Sequence, residues 1–332
     1  MDYTIKLNSG YEMPLVGMGS WLGKDEEVKF KNFQQMKLTE INIEMEKIMS
    51  DAFDAGYRHI DTAFLYGNQK GIGKGILKVI TDGKILRDDI FVTTKIWNTS
   101  HTYARAKEAI YENLRQLGLD YIDLMLIHWP MAFKEGDDIF PLDSNGKVIE
   151  GEGHFFEAWK ALEDSIEEGH VRSIGVSNFN HKQIERLLEK AKIRPAVNQV
   201  EMHPYYQQKK LRDYCKEKGI IVTAFSPLGS PGDTNFRNKQ MPNILTDPVL
   251  AEIAKKHGKS PAQVALRWAV QNGVIVIPKS ANPVRMKENI SIFDFKLDND
   301  EMKKVEGLDR NMRCFNLEMC DNHKEFPFKE EY

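Results

Sequence analysis

Cysteine is scarce in this 332-residue chain: Cys215, Cys314 and Cys320 are the only three, and no two form a Cys-x-x-Cys pair. An odd count at unrelated spacings excludes a disulfide framework and points to reduced, packing thiols. Long apolar runs are missing too. Nothing approaches the ~18 uninterrupted apolar residues of a spanning helix, and Met1-Asp2-Tyr3-Thr4-Ile5-Lys6 contains no apolar signal core. Neither charge sign dominates. The 46 Lys+Arg against 49 Asp+Glu leave a net charge of −3, which removes the broad positive field that duplex nucleic acid requires. No repeat, low-complexity tract or flexible linker divides the chain. From these absences we expect a cytoplasmic protein, one domain over 1–332, with neither nucleic acid nor membrane as a partner.

What is present is alternation. Short β-branched or aliphatic runs recur at 90–94, 122–127, 173–176, 196–200, 220–224 and 274–277, with fainter ones at 15–19 and 57–60. Near-continuous apolar runs of this length fit strands covered on both faces. Amphipathic segments lie between them at 103–117, 155–168, 182–190, 209–218 and 248–257. Ser260-Pro261 opens another through Gln271, with Ser260 as its N-cap. Gly118, Gly169, Gly219, Gly258 and Gly273 follow helical patterns, where left-handed caps belong. About eight strand–helix units over this length predict an α/β fold, a single (β/α)8 TIM barrel. A doubly wound sheet is the runner-up, disfavoured because no Gly-x-Gly-x-x-Gly opens the first helix. Three stretches fall outside the unit: an N-terminal hairpin over 1–13, turning at Asn8-Ser9-Gly10 and capping the barrel bottom; a charged excursion at 24–40 in the first βα connection; and a C-terminal loop over 310–332, covering a surface.

Polar and aromatic residues follow the apolar runs: Asp61-Thr62 after Ile60, Lys95-Ile96-Trp97 after Thr94, and His128-Trp129 after Ile127. Ser177-Asn178, Ser226 and Lys279-Ser280 follow later runs in the same way. In a parallel barrel all these endings share one mouth, where active sites form. The chemistry falls to Asp61, Tyr66, Lys95 and His128. A buried Lys95 near the Tyr66 hydroxyl would favour the phenolate and lower a pKa that starts at ~10, letting Tyr66 transfer a proton near neutral pH. Asp61 would keep Lys95 charged, and His128 would orient a substrate oxygen. These groups suit protonation of an alkoxide as hydride reaches a carbonyl carbon, and only a cofactor can supply that hydride.

The motifs Gly56-Tyr57-Arg58-His59-Ile60-Asp61-Thr62-Ala63 with Tyr66-Gly67-Asn68, Thr94-Lys95-Ile96-Trp97 and Leu126-Ile127-His128-Trp129-Pro130 run in order along the chain. Gly175-Val176-Ser177-Asn178-Phe179, Asn198-Gln199-Val200-Glu201, Ser226-Pro227-Leu228-Gly229-Ser230 and Ile277-Pro278-Lys279-Ser280 follow. From end to end the chain resembles an aldo-keto reductase, most closely the aldose/aldehyde reductase branch, including the ending Phe326-Pro327-Phe328-Lys329-Glu330-Glu331-Tyr332. The resemblance implies reduction of aldehydes, some ketones and aldoses by NADPH without a metal, in a monomer whose partner is a small carbonyl compound. Asp61, Tyr66, Lys95 and His128 match the family's tetrad. Ser177, Asn178 and Gln199 match partners of the nicotinamide carboxamide, and Phe225 the ring stacked on the nicotinamide. Ser226, Leu228 and Ser230 match the loop over the pyrophosphate. Lys279, Ser280 and Arg285 match the 2′-phosphate contacts, and Glu288 and Asn289 those at the adenine. NADPH is thus expected over NADH, with NADH as the weaker alternative; Asn282 is also found in reductases that accept both.

Trp21, Leu65, Trp97, Trp129, Phe140 and Leu317 match substrate-pocket positions, an apolar lining suited to medium-sized aldehydes. Phe225 replaces the branch's usual Tyr, Asn235 stands at a pocket Trp and Phe315 at a reactive Cys. Two other readings compete. A metal-dependent barrel hydrolase would draw on His59, Asp61, His128 and His203. A non-catalytic NADPH-binding module of the same fold would lack turnover.

Overall fold

The structure, a computed structural model, describes residues 3–22, 38–233 and 237–332. Strands β1 (Thr4–Lys6) and β2 (Glu12–Pro14) pair antiparallel as the expected hairpin. Eight parallel strands then alternate with helices: β3 (Met18–Gly19), α1 (Leu38–Ala55), β4 (His59–Asp61), α2 (Gln69–Thr81), β5 (Phe91–Ile96), α3 (Tyr103–Leu117) and β6 (Ile122–Ile127). The order continues with α4 (Phe155–Glu167), β7 (Val171–Ser177), α5 (His181–Leu188), β8 (Val197–Glu201), α6 (Lys209–Glu217) and β9 (Ile221–Phe225). Helices α7 (Pro248–His257) and α8 (Pro261–Gln271), strand β10 (Ile275–Val276), and helices α9 (Pro283–Ile290) and α10 (Asn299–Glu306) complete it. Each strand from β3 to β10 pairs with the next, and the bridges Val16↔Val276 and Gly19↔Lys279 close the sheet into a barrel. Among the described residues no helix is long and apolar enough to cross a membrane.

Strand periodicity explains where the core and the site lie. Side chains on β5, β6 and β8 are buried on both faces, as expected for parallel strands sheathed in helices. One phase, with Ile60, Val92, Ile96, Met125, Ile127, Ile174 and Val200, packs outward on the helices. The other points into the barrel. At the strand starts it carries Phe91, Leu124, Val197 and Ile275, which pack with Leu7 and Met13 of the hairpin and seal the bottom. Following that inner phase two residues at a time leads to Asp61, Lys95, His128, Ser177, Gln199 and Phe225 at the opposite end. The same alternation that fills the floor with hydrocarbon therefore sets the polar residues in one ring at the mouth.

The predicted helices stand within two residues of their expected ends, and Ser260 caps α8 through a capping box with Gln263. Two differences have physical causes. Helix α1 begins at Leu38, so residues 38–40 belong to a helix and not to the charged excursion. Its buried stripe of Met45, Ile48, Met49, Ala52 and Phe53 is helical in spacing, but the neighbouring charge obscures it in the sequence. Residues 24–37 and Asn235 lie outside the described residues. Helix α2 was hidden by its own glycines. A Cβ on Gly71 would meet Asn42 O at 2.2 Å and one on Gly73 would meet Leu117 O at 2.1 Å, so both let α2 press against its neighbours.

Candidate active site

Asp61 ends β4, and the chain then makes a 3-10 turn, Phe64–Tyr66, that Gly67 terminates with φ 64°. This turn brings Tyr66 back over the strand ends. Lys95 from β5 donates to Asp61 Oδ1 at 2.6 Å and to the Thr62 carbonyl at 2.9 Å, and lies 5.2 Å from the centre of the Tyr66 ring. His128, just past β6, meets the Tyr66 ring edge-on with centroids 5.9 Å apart. The four residues expected to carry the chemistry therefore share one cluster, with Lys95 and Asp61 each 1% exposed.

Electrostatics in this cluster differ from expectation at one point. Burial pushes the Tyr66 phenol above its ordinary value, and Asp61 adds to the rise; together they outweigh the pull of Lys95. The lowering expected from Lys95 does not prevail. Burial is the largest influence and Asp61 offsets part of the ammonium's field, so Tyr66 is a neutral phenol, the form a proton donor must take. Burial alone would lower Lys95, but the Asp61 carboxylate and Tyr66 hold it above its usual range and keep it charged. Burial, reinforced by the Lys95 charge, holds His128 well below 6.5, so its ring is neutral at physiological pH. A neutral imidazole with one N–H can point a hydrogen bond at a substrate oxygen.

A cavity of about 1000 Å³ opens above this cluster. Asp61, Tyr66 and His128 reach it, while Lys95 supports them from beneath. Every expected substrate-pocket residue lines it: Trp21, Leu65, Trp97, Trp129, Phe140 and Leu317. Trp97 packs edge-on against both His128 and Phe140, each at 5.2 Å, and its indole donates to the Ile139 carbonyl at 2.8 Å, which fixes the ring. All the expected cofactor positions line the same cavity: Ser177, Asn178, Gln199, Phe225, Ser226, Leu228, Ser230, Lys279, Ser280, Arg285, Glu288 and Asn289. The cavity thus runs from the tetrad to Lys279 and to Arg285 at the start of α9.

Several of these residues have structural partners the sequence did not disclose. Gln199 donates to Asp61 Oδ2 at 2.7 Å, so it braces the tetrad from the opposite side to Lys95. Asn178 donates to the His128 carbonyl at 2.9 Å, and Ser177 to the Gln199 carbonyl at 2.8 Å. Ser230 donates to Ser226 at 2.7 Å within the loop after β9. Asn282 is the N-cap of α9, its side chain accepting from Arg285 N at 3.1 Å. Asn178, Ser226, Ser230 and Leu317 all adopt positive φ, so four non-glycine residues of the lining hold costly backbone conformations.

Among the wall residues that escaped sequence reasoning as pocket formers are Phe315, Met319 and Asp233. Asp233 accepts from the Trp21 indole at 3.0 Å across 212 residues of chain. Phe315 and Met319 belong to the C-terminal segment, which has no periodicity to read. That segment covers the mouth because it is pinned there. Arg186 holds Glu325 through two 2.9 Å bonds, and Val148 N donates to the Met319 carbonyl at 2.9 Å. The hydrolase reading fails on geometry: His59 sits one layer below the mouth, 3.2 Å from Thr93 Oγ1, and makes no donor cluster with His128 or His203 among the described residues. The cysteines are free and buried, as expected.

Comparison with known proteins agrees with this geometry. Residues 16–310 match the sequence pattern of the Aldo/keto reductase family. The chain is 43% identical over 330 residues to dihydrodiol dehydrogenase 3 of Bos taurus, covering 99% of this chain and 98% of that protein. It is 42% identical over 331 residues to aldo-keto reductase family 1 member C15 of Rattus norvegicus and 41% identical over 330 residues to family 1 member C3 of Homo sapiens, with the same coverage.

Proposed function

The chain belongs to the aldo/keto reductase family, and from that premise we propose that it reduces aldehydes, some ketones and aldoses to alcohols with NADPH, Tyr66 giving the proton. The observation that carries this reading is the joining of the Tyr66–Lys95–Asp61–His128 cluster and the basic start of α9 by one cavity. The residues fit a nicotinamide dinucleotide. Lys279 and Arg285 would hold the 2′-phosphate, with Glu288 and Asn289 at the adenine and Ser226, Leu228 and Ser230 over the pyrophosphate. Ser177, Asn178 and Gln199 would hold the carboxamide, Gln199 through its amide oxygen while its nitrogen stays on Asp61. Phe225 would stack on the nicotinamide. When bound, that group supplies the hydride.

The protein's own part is proton chemistry and positioning. His128 donates to the carbonyl oxygen and fixes its direction. Tyr66, neutral before the step, gives its proton as negative charge develops on that oxygen, and Lys95 steadies the phenolate left behind. Asp61 keeps Lys95 charged in a site where a lone buried ammonium would shed its proton. The Trp and Phe lining excludes water and holds substrate chiefly by burial and dispersion, which favours medium-sized apolar carbonyl compounds over polyhydroxy ones. The test is stopped-flow mixing of NADPH-loaded protein with a panel of aldehydes and ketones. Rapid loss of nicotinamide absorbance is expected. Binding of NADPH with no such loss for any of them would favour the non-catalytic module.

A further inference from the structure

Away from the tetrad, behind Phe225 and Phe315, whose rings are 6.3 Å apart, three side chains of metal-ligating type converge. Glu201 is the last residue of β8, His203 follows two residues later, and Cys314 arrives from the C-terminal segment. His203 Nε2 lies 2.9 Å from Glu201 Oε1 and 3.4 Å from Cys314 Sγ, and the three donor atoms all fall within 4.8 Å of one another. Exposure is 2%, 1% and 0%.

We propose that Glu201, His203 and Cys314 form a site for one thiophilic divalent cation, zinc by the chemistry of its donors, which clips the C-terminal segment to the end of β8. Zinc bonds of ~2.0–2.3 Å place neighbouring ligands ~3.3–3.6 Å apart in a tetrahedron, and the two separations from His203 Nε2, 2.9 and 3.4 Å, lie within a few tenths of an ångström of that range. Charge supports the same assignment. The Glu201 carboxylate is buried, and among the described residues it has no Lys or Arg within ion-pair distance. Its partners are the His203 ring and the backbone amides of Cys314 and Phe315. Arg313 acts on the carboxylate only from beyond ion-pair distance, and a divalent ion shared with a thiolate would leave the three ligands neutral overall. Turning the Nε2 lone pair to the ion moves the His203 ring proton to Nδ1, which is buried without a hydrogen-bond partner, a cost that the metal bonds must offset. Met241 Sδ lies 3.1 Å from Cys314 Sγ, and it or a water would complete the coordination.

The exchange is balanced without redox chemistry: the ion displaces the thiol proton to solvent, the imidazole proton moves from Nε2 to Nδ1, and sulfur, nitrogen and oxygen each donate an electron pair. Filling the site would fix Phe315 and, two residues on, Leu317, both of which line the cavity. The site itself does not depend on the reductase reading.

The experiment uses the full-length protein, equilibrated with Zn²⁺ or Co²⁺ and freed of excess ion by gel filtration. One equivalent of metal per chain is expected, with a near-ultraviolet thiolate-to-cobalt charge-transfer band in the Co²⁺ form. Cys314→Ser and His203→Asn should each weaken binding by at least ~100-fold, whereas Cys215→Ser and Cys320→Ser should leave it unchanged. The band in wild-type protein reports a thiolate ligand whether or not a variant folds, and its absence overturns the proposal. So does metal retained at one equivalent in Cys314→Ser.

Discussion

Lys95 and Asp61 form an ion pair of 2.6 Å at the centre of the barrel mouth, with side chains 1% and 2% exposed. Neither is at home there alone. The pair exists because Asp61 also accepts from Gln199 at 2.7 Å while Lys95 also donates to the Thr62 carbonyl, so most polar valences are met inside the protein.

That arrangement predicts a stability cost when one partner is removed. Lys95→Met should lower unfolding free energy by ~3–5 kcal/mol, because it strands a buried carboxylate. Lys95→Met with Asp61→Asn should recover much of the loss. Urea unfolding of the three proteins checks this, and a double variant no more stable than the single one would refute it.

The electrostatics predict a pH profile. A neutral Tyr66 is the active acid, so reduction should be at its plateau below the phenol's raised pKa and fall only as pH climbs through that value, above ~10. His128 loses its proton well below 6.5 and is neutral across the physiological range. The kcat/KM for reduction, measured at saturating NADPH, should therefore be level from about pH 7 to 9. A steep fall inside that window would place the proton donor elsewhere.

Acid sensitivity follows from two other histidines. Burial holds His59 and His101 at about 3, His101 also feeling His154 and His323. Above pH ~6.5 both are neutral folded or unfolded and contribute nothing. As pH falls from there towards 3, the unfolded chain binds protons that the folded chain refuses, so stability declines. The slope is ~1.4 kcal/mol per pH unit for each histidine. His101→Phe, which removes two buried ring nitrogens without partners, should make the decline between pH 6 and 4 shallower by about one such increment. An unchanged slope in urea titrations would contradict this.

Cofactor choice offers a separate check. Lys279→Met should raise the NADPH dissociation constant ~10–100-fold, the worth of one charge-assisted contact, while NADH binding changes little. Fluorescence titration with both cofactors decides it, and equal losses would remove the 2′-phosphate assignment.

How much of this was legible in the sequence depended on periodicity. The floor residues Phe91, Leu124 and Val197 and the mouth residues Lys95, His128 and Gln199 share one strand phase, so pattern and motif pointed the same way. The glycines of α2 broke its helical signal because close packing, not propensity, places them there. Phe315 and Met319 reach the cavity on a segment whose only regular elements are short 3-10 turns, held by contacts such as Arg186–Glu325 across 139 residues. Contacts of that kind leave no local trace. Nor does the sign of the Tyr66 shift, which depends on how completely the site is buried and on Asp61 standing close enough to offset Lys95.

The most direct test of the central claim is single-turnover hydride transfer in Tyr66→Phe, with NADPH affinity measured on the same preparation. Affinity should stay within about threefold of wild type, since the hydroxyl is assigned no part in binding the cofactor, while the transfer rate falls by ~10²–10⁴. A Tyr66→Phe protein that reduces aldehydes at the wild-type rate would contradict the account.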